Sequence, residues 1–178
     1  EIVAVDDGSS DRTGAIIDAF AAGEPRVQAL HRRVNTKLGH VLRDGFNASR
    51  GDYVVTLDSD LSYGPEHIGR LVDAIIATEA DIVIASPYAE GGQVTDVPWT
   101  REMLSRGANR LLTISAKGHL TTVTGMARAY SRTFLQSLNL KSLDFEVNTE
   151  IIYKAQLLRA RIVEIPAHLD WSDQRGLG

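Results

Sequence analysis

The sequence predicts an α/β domain on a mostly parallel central sheet. Short β-branched apolar runs alternate with stretches of helical period. Two of the runs end abruptly in acidic clusters, Asp6-Asp7-Gly8 and Asp58-Ser59-Asp60, and the carboxyl ends of strands are where open α/β sheets bind ligands. No repeat, low-complexity stretch or linker interrupts the 178 residues, a length that suits one domain with one core.

In order, Ile2–Val5 is the first apolar strand, and Ser9-Ser10-Asp11 supplies N-caps for a helix with Ile16, Ile17 and Phe20 on its apolar face. Val27–Leu30 reads as a short strand. Leu38 to Ala48 is helical, with Val41, Leu42 and Phe46 on one side and Gly45 as its weak residue. Tyr53–Leu57 is a buried strand. Pro65 suits the first turn of a helix whose stripe is Ile68, Leu71, Val72, Ile75 and Ile76. Asp81–Ala85 is the next strand, and residues 86–98, with Gly91-Gly92 and two prolines, form a loop of functional length. A helix is expected from Thr100 to Ala116, an extended stretch over Thr121–Tyr130, a helix from Phe145 to Ala160 and a strand over Arg161–Ile165. The chain opens in mid-strand and closes without a helix or charged tail, so it reads as part of a longer chain, truncated at both ends.

Composition removes several classes of function. With 19 basic and 23 acidic side chains the formal charge is −4, which gives no basic face for nucleic acid. The absence of cysteine excludes a disulfide scaffold, a zinc–thiolate site, an iron–sulfur cluster and a cysteine nucleophile. No apolar run approaches the roughly 18–20 residues that span a bilayer, and the five histidines show no HxH or HExxH spacing. No GxSxG, GxxxxGK[ST] or GxGxxG segment stands in a suitable context.

The acidic clusters carry the chemistry. Asp6, Asp7, Asp58 and Asp60 are expected to converge on one cleft. Close carboxylates repel and raise each other's pKa unless a cation or donor compensates, and a hard divalent ion, Mg²⁺ or Mn²⁺, suits oxygen ligands at this density. The competing reading is that the aspartates only cap turns and helices. Two other readings stand beside it: a phosphoacceptor receiver domain, which also gathers aspartates at strand ends, and a binding module without catalysis.

Val5-Asp6-Asp7-Gly8-Ser9-Ser10-Asp11-Arg12-Thr13 resembles the VDDGSxDxT segment of the inverting family 2 glycosyltransferases, and Asp58-Ser59-Asp60-Leu61-Ser62 with Pro65 resembles their DxD motif. Asn35, Gly39, Gly45, Ala48 and Gly51-Asp52 resemble the stretch between them. Ser86, Tyr88, Gly91-Gly92 and Thr124–Tyr130 are similar to the polyprenyl (dolichol)-phosphate mannosyl- and glucosyltransferase branch.

The resemblance implies a glycosyltransferase-A, Rossmann-like fold lacking its N-terminal strand, with residues 1–178 as a single catalytic domain. It implies a nucleotide-diphosphate sugar donor, GDP- or UDP-hexose, and Mg²⁺ or Mn²⁺ as cofactor. It puts Asp6, Asp7, Ser9, Asp58 and Gly39 on the donor, Asp58 and Asp60 on the metal, and Asp60 and Arg128 in catalysis. It further implies a lipid-phosphate acceptor at a membrane surface on the cytoplasmic side. Arg101, Arg128 and Arg132 are candidates for the anionic groups, and Arg175 for a closing arginine. Where the branch has Ser-Arg-Tyr, this chain has Ser86-Pro87-Tyr88. If the acceptor were a hydroxyl, Asp144, Glu146 or Glu150 would be the candidate base.

Overall fold

The computed structural model describes residues 1–100, 103–105, 107–109 and 120–172. Its elements run β1 (Ile2–Asp6), α1 (Thr13–Gly23), β2 (Val27–His31), α2 (Leu38–Ala48), β3 (Tyr53–Thr56), α3 (Glu66–Thr78), β4 (Ile82–Ser86), β5 (Gln93–Thr95), β6 (Arg128–Ser131), α4 (Arg132–Ser137), α5 (Glu146–Leu157), β7 (Ile162–Pro166) and β8 (His168–Asp170). Residues 103–105 and 107–109 are helical as well. The rest of the helix expected over 100–116 lies outside the described residues, as do Arg101 and Arg175.

The central sheet has the order β3-β6-β4-β7. β4 and β7 pair in parallel, whereas β6 runs against both neighbours and sets Arg128 opposite Thr56 and Ile84. β1–β2 and β5–β8 are separate parallel pairs. Parallel pairing follows from the strand–helix alternation, but β6 returns through the middle of the sheet, so its pairing is mixed. Of the stretch expected to be extended over 121–130, only the last residues enter the sheet. β1 and β3 start side by side, since the Glu1 carboxylate accepts the Arg50 and Gly51 N–H groups, yet no ladder joins them.

β4 is buried along its whole length, as a strand covered on both faces must be. Its alternate residues enter two cores. Ile82 and Ile84 meet Tyr130, Leu42 of α2 and Val147, Ile151 and Ile152 of α5, while Val83 and Ala85 meet Ala127, Ala129, Leu71 and Ile75. Each large aliphatic side chain buried this way contributes about 1.5–3 kcal/mol. Phe46 meets Tyr130 edge-on at 5.5 Å, fastening α2 to the sheet.

Two helices depart from expectation. α1 packs mainly on the two-stranded β1–β2 pair, so Ile16 and Phe20 stay exposed and none of its residues is buried. Its start is capped from outside the helix, by Asp11 accepting the Thr13 N–H. In α3 the buried face is His67, Leu71 and Ile75, and Ile68 and Ile76 point outward. The stripe turns toward the histidine because its ring finds hydrogen-bond partners inside.

Candidate active site

A series of contacts runs from the first acidic cluster toward the second. The Asp7 loop touches residues 36–37, Gly39 touches Leu143 just before α5, and α5 supplies the Asn148 carbonyl that Arg128 binds opposite Thr56. Asp58 lies two residues beyond Thr56.

The first cluster builds its own walls. Gly8 has φ +75°, and a β-carbon there would stand 2.7 Å from the Val34 carbonyl carbon, so only glycine lets the two loops meet. Asp7 accepts the Thr36 N–H and hydroxyl and the Lys37 N–H at 2.8–3.0 Å, with Arg32 Nε at 3.7 Å. Burial would raise its carboxyl, but these donors hold it below the usual range. Asp6 is 7% exposed and turned inward. It accepts the Ser9 N–H at 2.9 Å and faces His31 Nδ1 at 3.1 Å, which brings its carboxyl down to about 2. Asp6 thus shapes the turn that carries Ser9. Lys37 opens α2 at φ +75°, strain of the kind that collects at ligand loops.

The second cluster differs. Asp58 and Asp60 follow β3 on an exposed turn, with Leu61 in the left-handed region at φ +58°. The groups crowded beneath Asp58, and then the Asp60 charge, push its carboxyl up to about 6. Asp60 Oδ1 accepts the Ser62 N–H at 2.9 Å.

The other expected residues take varied places. Arg128 is fully buried, its terminal nitrogens donating to the Val123 and Asn148 carbonyls at 2.6 and 3.0 Å, and its Nε has no partner. No carboxylate among the described residues pairs with it. In this geometry it fastens the 121–127 loop to α5 and does not itself reach an open surface. Arg132 binds the Ser49 and Gly51 carbonyls at the opposite end of β3, away from both clusters. Gly39 is occupied as well: its N–H donates to the Leu143 carbonyl at 2.9 Å, and its α-carbon faces Ser142. Glu150 accepts the Lys141 and Ser142 N–H groups and the Lys154 ammonium, which outweigh its burial and bring its carboxyl down to about 2. Asp144 pairs with Lys37 at 3.1 Å, and Glu146 is exposed at the start of α5.

Sequence reasoning missed the scaffold of the 121–124 loop. Glu164 of β7 accepts the Thr121 and Thr122 N–H groups, and the Asn109 side-chain oxygen accepts the Val123 N–H at 2.8 Å. Neither residue has a local signature, because each acts across at least a dozen positions of sequence.

Among the described residues no group of three or more histidine or acidic side chains gathers to hold a metal alone. Two carboxylates nevertheless suit Mg²⁺ or Mn²⁺, which commonly takes one or two from the protein and completes its shell with phosphate oxygens and water. The raised Asp58 carboxyl beside Asp60 is the electrostatic condition that a divalent cation relieves.

The family model for glycosyl transferase family 2 matches residues 1–138. Polyprenol monophosphomannose synthase of Mycolicibacterium smegmatis is 36% identical over 172 residues, covering 93% of this chain and 64% of that protein. Undecaprenyl-phosphate mannosyltransferase of Micrococcus luteus is 33% identical, covering 93% and 70%. The chain therefore spans less than two thirds of the first of these relatives. Glucosyl-3-phosphoglycerate synthase of Mycobacterium tuberculosis, solved with Mn²⁺, UDP-glucose and phosphoglyceric acid, superposes with TM-score 0.68 at 22% identity over 94% of this chain and 58% of that one. The fold is of the glycosyltransferase-A type. A receiver domain is ruled out by these matches and by the antiparallel β6, which a doubly wound parallel sheet does not contain. By sequence, and by the loops that its aspartates organise, the chain belongs to glycosyl transferase family 2.

Proposed function

We propose that the chain is the catalytic part of a metal-dependent, inverting glycosyltransferase that moves a hexose from GDP- or UDP-hexose to a polyprenyl phosphate. The observation that carries this reading is the Asp58–Asp60 pair, two carboxylates on one turn, one of them raised to about 6. Ser9, Asp7 and the 34–37 loop border the nucleoside of the donor. Asp58 and Asp60 would hold Mg²⁺ or Mn²⁺, which when bound would neutralise charge developing on the departing nucleoside diphosphate.

The acceptor brings its own nucleophile. A phosphate monoester has a second pKa near 6 and is largely dianionic at neutral pH. Its oxygen attacks the anomeric carbon from the face opposite the departing diphosphate, the new C–O bond forms as the bond to the diphosphate breaks, and no proton has to move. Two of the three candidate bases are already engaged, which favours this acceptor over a hydroxyl. Glu150 is held near 2 by three donors, and Asp144 is engaged with Lys37. What the chain adds is positive potential and a fixed loop, through the buried, uncompensated guanidinium of Arg128 beneath residues 121–124. A lipid acceptor puts the reaction at a membrane surface, on the cytoplasmic side where nucleotide sugars are found. Among the described residues no helix is long and apolar enough to cross a membrane.

The test is a transfer assay on the full-length protein with GDP- and UDP-hexoses and a polyprenyl phosphate, with and without Mn²⁺. Asp60→Ala is expected to lower turnover by about a hundredfold or more, since the metal supplies several kcal/mol in the transition state. Turnover that survives both Asp60→Ala and chelation would end the metal role. Saturable nucleotide binding without transfer would make the chain a binding module.

A further inference from the structure

His67 stands outside the proposed chemistry, yet it is the most enclosed titratable group near the Asp58–Asp60 turn, 1% exposed. Its Nε2 accepts the main-chain N–H of His168 at 3.1 Å, across 101 positions of sequence. That leaves the ring hydrogen on Nδ1, which donates to the Gly64 carbonyl at 3.0 Å with Glu66 Oε1 at 3.2 Å. Tyr63 meets the ring edge-on at 5.6 Å. One side chain therefore grips the turn that follows Asp60 and, by its other nitrogen, strand β8.

The grip is reinforced on both sides. Ser62, whose N–H binds Asp60 Oδ1, gives its carbonyl to the Asp170 N–H at 2.9 Å. β8 in turn pairs with β5, and His168 Nε2 lies 2.7 Å from the Thr95 hydroxyl. The carboxylate turn is thus moored to the β5–β8 ribbon at Ser62 and at His67, and only the second mooring is a side chain that substitution can remove.

We propose that His67 is a positioning residue for cation binding: by bonding both Gly64 and His168 it holds the Asp58–Asp60 turn against β8 in the geometry that receives a divalent cation with a nucleoside diphosphate. The proposal rests on the functional reading above. His67 touches neither cation nor sugar, so its loss weakens binding while leaving the rate at saturation nearly unchanged.

The test compares His67→Met with His67→Gln in the full-length protein. The two replacements have similar length and shape and both suit a helix, but only glutamine retains an oxygen acceptor for the His168 N–H. Mn²⁺ binding in the presence of UDP, and separately of GDP, is followed by the loss of the free-ion electron paramagnetic resonance signal. Outer partners of metal ligands typically govern about 10–100-fold in affinity. His67→Met is accordingly expected to bind at least about tenfold more weakly and His67→Gln within about threefold of wild type. Hydrogen exchange is expected to quicken in His67→Met at residues 58–64 and 168 and to stay unchanged elsewhere.

Equal Mn²⁺ affinity in His67→Met and wild type, or an equal loss in both variants, would overturn the proposal. Faster exchange spread through the whole of α3 would also overturn it, since the residue would then be only a core side chain. If His67→Met does not fold, the glutamine variant decides by the same threefold and tenfold limits. If wild type binds no Mn²⁺ with either nucleotide, the functional reading fails instead, and exchange at 58–64 still decides whether His67 holds the turn.

Discussion

The N–H of Gly39, in the first turn of α2, donates to the carbonyl of Leu143 at 2.9 Å, and a β-carbon on that glycine would stand 2.2 Å from the Ser142 carbonyl oxygen. Two segments a hundred residues apart in sequence touch here backbone to backbone, and Arg43 donating to the same Ser142 carbonyl closes the contact.

Gly39→Ala cannot be absorbed by a side-chain movement, because the obstructing atoms are main chain. It is expected to destabilise the protein by about 2–3 kcal/mol, at the upper end of what overpacking costs. Urea unfolding at neutral pH measures it. An alanine variant as stable as wild type would mean that the 142–144 segment does not sit on α2 in solution.

Glu150 holds the same segment from the other side, through two main-chain N–H groups and Lys154. Its folded pKa, about 2, lies below the ordinary 4.5, so its contribution is present above pH 4.5 and is lost as pH falls toward 2. Glu150→Gln is expected to cost about 1–2 kcal/mol at pH 7, the range for hydrogen bonds to a charged group. Its unfolding curve is expected to converge on wild type in acid.

The Asp6–His31 pair sets a window. Hydrogen bonds donated by its ring to Asp6 and Asp18 raise the His31 imidazole above 6.5, and Ser9, then His31, lower Asp6 to about 2. The histidine's contribution is fully present below pH 6.5 and fades as pH rises through its folded pKa. The aspartate's is present above 3.8 and fades as pH falls toward 2. An NMR titration is expected to place His31 above 6.5, and Asp18→Asn to bring it partway down. An imidazole titrating below 6.5 would contradict the pairing.

Asp58 runs the opposite way. Its folded pKa of about 6 exceeds the unfolded 3.8, so in the absence of metal its ionised form costs stability above pH 6, and that cost disappears as pH falls from 6 to 3.8. Asp58→Asn is expected to raise the melting temperature of metal-free protein at pH 7.5 by on the order of 1–2 °C, a small gain because the turn is open to water on one side. The same change is expected to abolish Mn²⁺ binding, measured by loss of the free-ion electron paramagnetic resonance signal. In wild type, affinity for Mn²⁺ is expected to drop as pH falls through 6, where protons compete for the carboxylate.

Much of this was legible in the chain itself. The boundaries of α2 were readable because Leu42 and Phe46 keep helical spacing against a buried sheet, and the two acidic clusters were placed correctly at strand ends. Local pattern was less informative where partners are distant. It assigned Ile68 to the inner face of α3, and the structure puts His67 there because the His168 N–H awaits an acceptor. It left Arg132 a candidate for an anionic group, and the structure puts that side chain at the far end of β3.

The sequence by itself determined the layering of strands and helices, the carboxylates that end β1 and β3, and membership of the glycosyltransferase family, because periodicity and short motifs are properties of neighbours along a chain. Only the tertiary structure decided how far each of those carboxylates is buried and bonded. Asp6 and Asp7 are drawn into bonds with Ser9, His31, Thr36 and Lys37, while Asp58 and Asp60 remain on an exposed turn. The difference is physical: the donors around Asp6 and Asp7 lower their carboxyls, whereas desolvation and then the neighbouring Asp60 charge raise that of Asp58.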